Sequence, residues 1–242
     1  METAYFWHRL DLCGRKSIII FLIMLWGAGL SARAQTINIP NHDMEPMHYG
    51  FQIGGQMTTF KIRHSNYFMS NEDSIISIHP KPTPSFSLGF ILDFSIYEEE
   101  WDVRITPNVS FAEQQVEFGY RDGTVFTETV EAAFFEVPIL LKHKSLRRGN
   151  MGVYLIGGFV PSIKVGGQKR KEDESRLGTS DYNLEITYGI GLDLYQSFFK
   201  FAPEIRFSHG FANMIFKNGS NFGRNIDRIT THRVSLFLNF EG

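Results

Sequence analysis

The sequence predicts an all-β protein, an eight-stranded antiparallel up-and-down barrel that spans a membrane. Three observations predict it. An apolar run near the start reads as an export signal. The rest of the chain alternates apolar and polar residues in eight segments. The connections between segments are long on one side and short on the other. Composition agrees: with 43 % hydrophobic and 21 % charged residues among 242, the chain can build a core. Phe occurs 23 times and Gly 22 times, as suits strands that carry apolar residues one by one. A formal net charge of −2 argues against nucleic-acid binding through bulk charge.

Residues 1–34 read as a cleaved signal peptide. Arg9, Arg15 and Lys16 form a basic start, and Ser17–Leu30 is apolar. Ala32-Arg33-Ala34 is a small-residue cleavage box, so cleavage between Ala34 and Gln35 is expected. The apolar run is shorter than the ~20 residues a helical span needs. Cys13, the single cysteine, lies inside the signal, so the mature chain has no disulfide, thiol chemistry or Cys-ligated zinc. Removing this segment leaves 20 basic against 24 acidic residues in 208, a net charge of −4. A periplasmic N-terminal segment, 35–48, should precede a barrel domain at 49–242. No later stretch is apolar enough for a helical span. A closed barrel is the other structure that satisfies its backbone in lipid.

The strands follow in order. Near 49–60, Tyr49, Phe51, Ile53 and Met57 alternate with Gln52, Gly54, Gln56 and Thr58. In 85–97 the even positions Phe86, Leu88, Phe90, Leu92, Phe94 and Ile96 are all apolar, opposite Ser85, Ser87, Gly89, Asp93 and Ser95. From Trp101, the set Val103, Ile105, Pro107, Val109 and Phe111 faces away from Asp102, Arg104, Thr106, Asn108 and Ser110. In 129–144, Phe135, Val137, Ile139 and Leu141 oppose Glu136, Pro138 and Lys142, less cleanly. Residues 151–164 are a Gly-rich strand whose faces the pattern leaves unassigned. In 183–194, Leu184, Ile186, Tyr188, Ile190, Leu192 and Leu194 oppose Asn183, Glu185, Thr187, Gly189, Gly191 and Asp193. In 198–209, Phe199, Phe201, Pro203, Ile205 and Phe207 oppose Lys200, Glu204 and Arg206. In 229–240, Val234, Leu236, Leu238 and Phe240 oppose Arg233, Ser235 and Asn239. Loops 62–82, 166–181 and 210–228 should point outward, with short joins at 98–100, 146–150 and 196–197 on the periplasmic side.

Alternation alone fits a soluble carrier with an apolar interior as well as a membrane barrel with a polar one. The apolar faces are nearly free of polar residues, and the opposite faces carry charges of both signs. Asp93, Asp102, Arg104, Glu136, Glu185, Asp193, Lys200, Glu204, Arg206 and Arg233 would face inward. These are too many for a greasy pocket, so the membrane reading is preferred and the interior is expected to be a salt-bridged plug. The terminal strand Val-Ser-Leu-Phe-Leu-Asn-Phe resembles the signal read by the outer-membrane assembly machinery, although Glu241 and Gly242 follow its aromatic.

Chemical motifs are weak. Gly189-x-Gly191 lacks the third glycine and helix of a dinucleotide site. His42, Asp43, Glu45 and His48 cluster before the first strand and read as a solvated tail rather than a metal site. Ser208 and His209 are adjacent on a strand, hence on opposite faces, and make a poor catalytic dyad. The run Lys169–Glu174 reads as a solvated loop tip. No catalytic, cofactor or metal residue is assigned.

Phe135-Glu136-Val137-Pro138-Ile139-Leu140-Leu141-Lys142, followed by Tyr154-Leu155-Ile156-Gly157-Gly158-Phe159, resembles two strands of Bacteroidota outer-membrane barrels of the PorT family. Tyr188-Gly189-Ile190-Gly191-Leu192-Asp193-Leu194 and Pro203-Glu204-Ile205-Arg206-Phe207-Ser208-His209-Gly210 resemble that family's later strands. The resemblance implies an outer-membrane barrel tied to type IX protein secretion and, in gliding relatives, to motility. It implies a non-enzymatic component or assembly accessory, with outer-membrane lipid, the assembly machinery and type IX subunits as partners. A structural or adhesion barrel and a lipid-modifying enzyme are the alternatives.

Overall fold

The computed structural model describes residues 37–69, 75–97, 100–166, 178–216 and 225–242. Residues 1–34, with the expected cleavage point between Ala34 and Gln35, and Lys169–Glu174 lie outside them. The strands are β1 Met47–His64, β2 Ile75–Lys81, β3 Thr83–Tyr97, β4 Trp101–Ile105, β5 Asn108–Tyr120, β6 Val125–Glu136 and β7 Ile139–Lys144. They continue as β8 Met151–Gly166, β9 Gly178–Thr179, β10 Tyr182–Tyr195, β11 Lys200–Gly210, β12 Ile215–Phe216 and β13 Ile226–Glu241. A short helix, Asn66–Met69, follows β1.

Three proline interruptions split what are physically single staves. Pro82 separates β2 from β3, Pro107 separates β4 from β5, and Pro138 separates β6 from β7. Proline has no N–H to give the ladder, so pairing lapses around it. Its carbonyl still accepts: Phe90 donates to Pro107 at 3.0 Å and Thr106 to Pro138 at 3.1 Å.

Counted as staves, eight antiparallel neighbours form a ring. Its order is β1, β2–β3, β4–β5, β6–β7, β8, β10, β11, β13. The ring closes because β13 pairs back onto β1, from Gly50↔Glu241 through Met57↔Val234 to Phe60↔Thr231. The lower end carries Gly242 and the short joins after Tyr97, Lys144 and Tyr195. The upper end carries the longer connections and a tight turn in which Gly123 takes φ +87°. There Asp122 accepts from the Thr124 hydroxyl at 2.6 Å and its N–H at 2.9 Å.

The wall is polar inside and apolar outside. Phe90 is 71 % exposed and Phe51 50 %, whereas Asp93 and Arg104 are 0 % exposed. The carrier reading requires the reverse. Toward the upper end the polarity inverts. Along β5, Asn108 and Ser110 point in while Phe111 points out; higher up, Glu113 points out while Val116 and Phe118 are buried. Along β1, Gln56 and Thr58 give way inside to Phe60, while Lys61 and Arg63 appear outside. The physical reason is the change of solvent around the wall, since above the lipid the outer surface meets water and apolar side chains turn inward. Phe60, Ile75, Ile78, Val116, Phe118, Met214, Ile226 and Ile229 thereby form an apolar cluster that caps the ring.

Candidate functional site

The lumen holds the ionisable groups, and they arrive on most of the staves of the ring, several staves supplying two or three. In the lower half Arg104 of β4 sits 2.5 Å from Asp93 of β3, 2.7 Å from Glu241 of β13 and 3.6 Å from Glu204 of β11. Lys200 meets Glu241 at 2.7 Å, and Lys142 lies 3.4 Å from Asp193 and 3.7 Å from Asp93. Lys144 meets Asp102 at 3.0 Å, and Arg206 pairs with Glu204. The Tyr154 hydroxyl donates to Glu204 at 2.7 Å, with the Lys142 ammonium 4.2 Å from the ring centroid. Gly191 makes room for that ring, since a Cβ there would lie 2.2 Å from Tyr154 Cζ. Higher up, Arg233 bridges Glu136 and Glu185, each at 2.6 Å, and Thr231 and Asn183 donate to Glu185. Beside this triad lies a cavity of about 20 Å³, room for roughly one water.

Such an interior fills itself. Paired charges avoid the large cost of a lone buried ion. Tyr154, the arginines and the apolar cap above them occupy the space through which a solute would pass. Among the described residues no group of three or more His, Cys, Asp or Glu is arranged to hold a metal ion.

All ten charges that alternation points inward lie in this lumen. Lys142, which the alternation of 129–144 already puts on the polar face, belongs with them, as do Lys144, Glu241 and Tyr154, which were missed. Parity would have found Lys144 and Glu241. Lys142 and Lys144 share the parity of Glu136, and Glu241 that of Arg233 and Asn239. Glu241, which looked like a flaw in the terminal signal, is 1 % exposed and joins Arg104 to Lys200. On the Gly-rich strand Tyr154, Ile156, Val160 and Ser162 face in.

Two expectations are corrected. Much of 62–82 is strand rather than loop, because β1 runs to His64 and β2 spans Ile75–Lys81, their alternation hidden by the change of polarity above the lipid. His42 and His48 are not on a solvated tail, being 2 % and 1 % exposed. Residues 38–46 fold against the lower mouth through a single 3-10 turn, His42–Met44. The His42 ring stacks on His48 at 4.1 Å and meets the edge of Tyr195 at 5.8 Å. Asp43 accepts from the Tyr195 hydroxyl at 2.6 Å and lies 3.6 Å from Arg147. Asn38 donates to the Tyr195 carbonyl, and Arg147 reaches the carbonyls of Asn38 and Ile39. The sequence showed four polar residues without a strand pattern. It could not show that docking at the ring's open end gives Asp43 and His48 hydrogen-bond partners and His42 a ring stack, while Glu45 stays exposed.

Burial, with Lys200 and His48 beside it, pushes His42 down to about 3. A released segment would have the ordinary histidine value near 6.5. The folded value is depressed, so the docked segment is fully favoured above pH ~6.5 and loses that preference as pH falls toward ~3. Limited proteolysis within 38–46 should therefore be slow at pH 7.5 and accelerate at pH 4.5. His42→Phe, which keeps the stack, should flatten this dependence over that range. Equal acid sensitivity in the variant would remove His42 as its cause.

Ser208 and His209 point to opposite sides of the wall. Ser208 donates inside to Thr187 at 3.0 Å, while His209 is exposed outside. They form no dyad.

Residues 33–215 match the family described as outer membrane protein beta-barrel domain. No curated protein matches the sequence. Among solved structures, the chain is similar to Neisserial surface protein A, at 6 % identity, covering 81 % of this chain and 98 % of that one, TM-score 0.44. It is similar to OprG from Pseudomonas aeruginosa, at 9 % identity, 80 % and 94 % coverage, TM-score 0.45. It is also similar to Ail, the attachment invasion locus protein of Yersinia pestis, at 12 % identity, 82 % and 100 % coverage, TM-score 0.34. With an inside-out wall, a closed ring of eight staves and a family match over most of its length, the chain belongs to the outer-membrane β-barrel domain family.

Proposed function

We propose that this outer-membrane barrel is a non-enzymatic component or assembly accessory of type IX protein secretion, working through its surfaces. The observation that carries the mode of action is the filled and capped lumen, which leaves no conduit for a folded cargo. The link to type IX secretion rests on the PorT-like segments Glu136–Lys142 and Pro203–Gly210. Their inward side chains have a clear physical duty. Glu136 pairs with Arg233, Lys142 with Asp193, Glu204 with Arg206, and Ser208 bonds Thr187. The partners the reading implies are outer-membrane lipid, the assembly machinery and type IX subunits.

A clean deletion strain tests it. Type IX cargo should accumulate in the periplasm while the permeability of the outer membrane stays at the parent level. Normal cargo secretion would overturn the proposal and leave a structural or adhesion barrel. Release of fatty acid or sugar from labelled lipid A by the purified protein would overturn the non-enzymatic part.

A further inference from the structure

The outer surface of the wall carries a basic patch just above the lipid-facing band. On β1 the outward residues run Tyr49, Phe51, Ile53, Met57, Thr59, Lys61, Arg63. From Tyr49 to Thr59, ten residues at ~3.3 Å each and tilted by ~40° climb roughly 25 Å, the height of a membrane barrel's apolar band. The polarity inversion between Thr58 and Phe60 puts the boundary at the same level. In the hydrogen-bonded register, the row at this level is Thr59–His232–His209 across β1, β13 and β11. Above it stand Lys61, Arg63 and Arg228, with Arg63 directly opposite Arg228.

Two arginines facing each other across a strand pair repel. Asp227 compensates one of them, 2.9 Å from Arg63. Arg228 donates to the Phe211 carbonyl, and Lys61 is exposed with no ion pair among the described residues. The patch therefore keeps two uncompensated cations. Beneath them runs a polar chain: the Tyr188 hydroxyl lies 3.1 Å from His209 Nε2, and His209 Nδ1 lies 2.7 Å from His232 Nδ1. Each of these bonds can run either way. An anion beside His232 selects one sense, with Tyr188 donating to His209, His209 donating to His232, and the His232 Nε2–H left to donate outward.

We propose that Lys61, Arg228 and His232 bind the phosphate of an outer-leaflet lipid headgroup, with His209 and Tyr188 positioning the His232 ring. Lipid is the occupant because the patch continues the lipid-facing surface: Met57, Val234 and Phe207 lie directly below it and are exposed. Acyl chains would lie on these residues while the phosphate meets the cations. Charge-assisted bonds to phosphate supply the affinity.

The test is native mass spectrometry of the folded barrel released from detergent, with phosphorylated lipid A or the same lipid A stripped of phosphate. The wild-type protein should retain the phosphorylated form about tenfold better. Lys61→Gln with Arg228→Gln should bring the two within about twofold, and His232→Gln should fall between. Heat-dependent gel mobility confirms that each variant is folded. Any variant that loses it is replaced by Lys61→Met, whose expected result is the same loss of preference. Equal retention of the two lipids by the wild-type protein would overturn the proposal, as would a preference unchanged in the double variant. Displacement of the lipid by millimolar inorganic phosphate would assign the site to free phosphate and overturn the lipid reading.

Discussion

Arg104→Ala should lower the stability of the folded barrel by about 3–5 kcal/mol, the cost of removing one partner from a buried charge network. The site is demanding because one guanidinium serves three carboxylates, with Asp93 at 2.5 Å, Glu241 at 2.7 Å and Glu204 at 3.6 Å, all fully out of water. Removing it leaves Asp93 and Glu241 to share Lys142 and Lys200, at 3.7 Å and 2.7 Å. Arg104→Lys keeps the charge but not the planar fork that reaches two carboxylates at once, so an intermediate loss is expected. Arg104→Met with Asp93→Asn should recover part of the deficit, because the second change removes a carboxylate stranded by the first. Urea unfolding in lipid vesicles, read by the gel mobility of folded and unfolded forms, measures the differences. A loss below about 1 kcal/mol for Arg104→Ala would mean that water reaches the network and that the lumen is open.

That network also marks how far the sequence could be read. Parity placed Asp93, Arg104, Glu204 and Arg233 on one face because a strand repeats every two residues and the lipid tolerates no charge on the other. Pairing partners were beyond it. Arg104 and Glu241 are 137 residues apart and meet because the ring closes and then tilts. Register across closure depends on every intervening stave. The apolar cap was illegible for a different reason. Phe60, Val116 and Phe118 have the parity of luminal residues but the chemistry of lipid-facing ones. That combination makes sense only once the height of the bilayer along each strand is known. The faces of 151–164 were ambiguous because Gly157 and Gly158 interrupt the alternation, and the ring settled them through Tyr154.

The same reasoning explains why the PorT-like segments describe architecture better than activity. Glu136, Lys142, Asp193, Glu204 and Arg206 have luminal partners inside this chain, so their pattern records how a narrow ring is filled. Whatever distinguishes one such barrel from another must lie on surfaces. Here those are the outward face above the lipid, the upper connections and the segment seated at the lower mouth.

Depth dependence is the sharpest check on the inside-out wall. Ile190→Arg should cost about 2–4 kcal/mol, the penalty for a cation on the lipid face near the midplane. Ile190 is 49 % exposed, sits midway along β10, and is flanked in register by Leu155 and Ile205, both outward and apolar. No carboxylate of that row faces the lipid. The new guanidinium would have to stretch toward an interface or draw water to itself. Thr59→Arg places the same charge at the upper edge of the band, beside His232, where the penalty falls to about 0–1 kcal/mol. Both variants keep the lumen intact, so a difference between them reports the surroundings of the wall alone. Folding yields and urea midpoints in vesicles of defined thickness supply the comparison. A penalty at Ile190 as small as the about 0–1 kcal/mol expected at Thr59 would place Ile190 in water, and the apolar face of the ring would then have to be covered by something other than lipid.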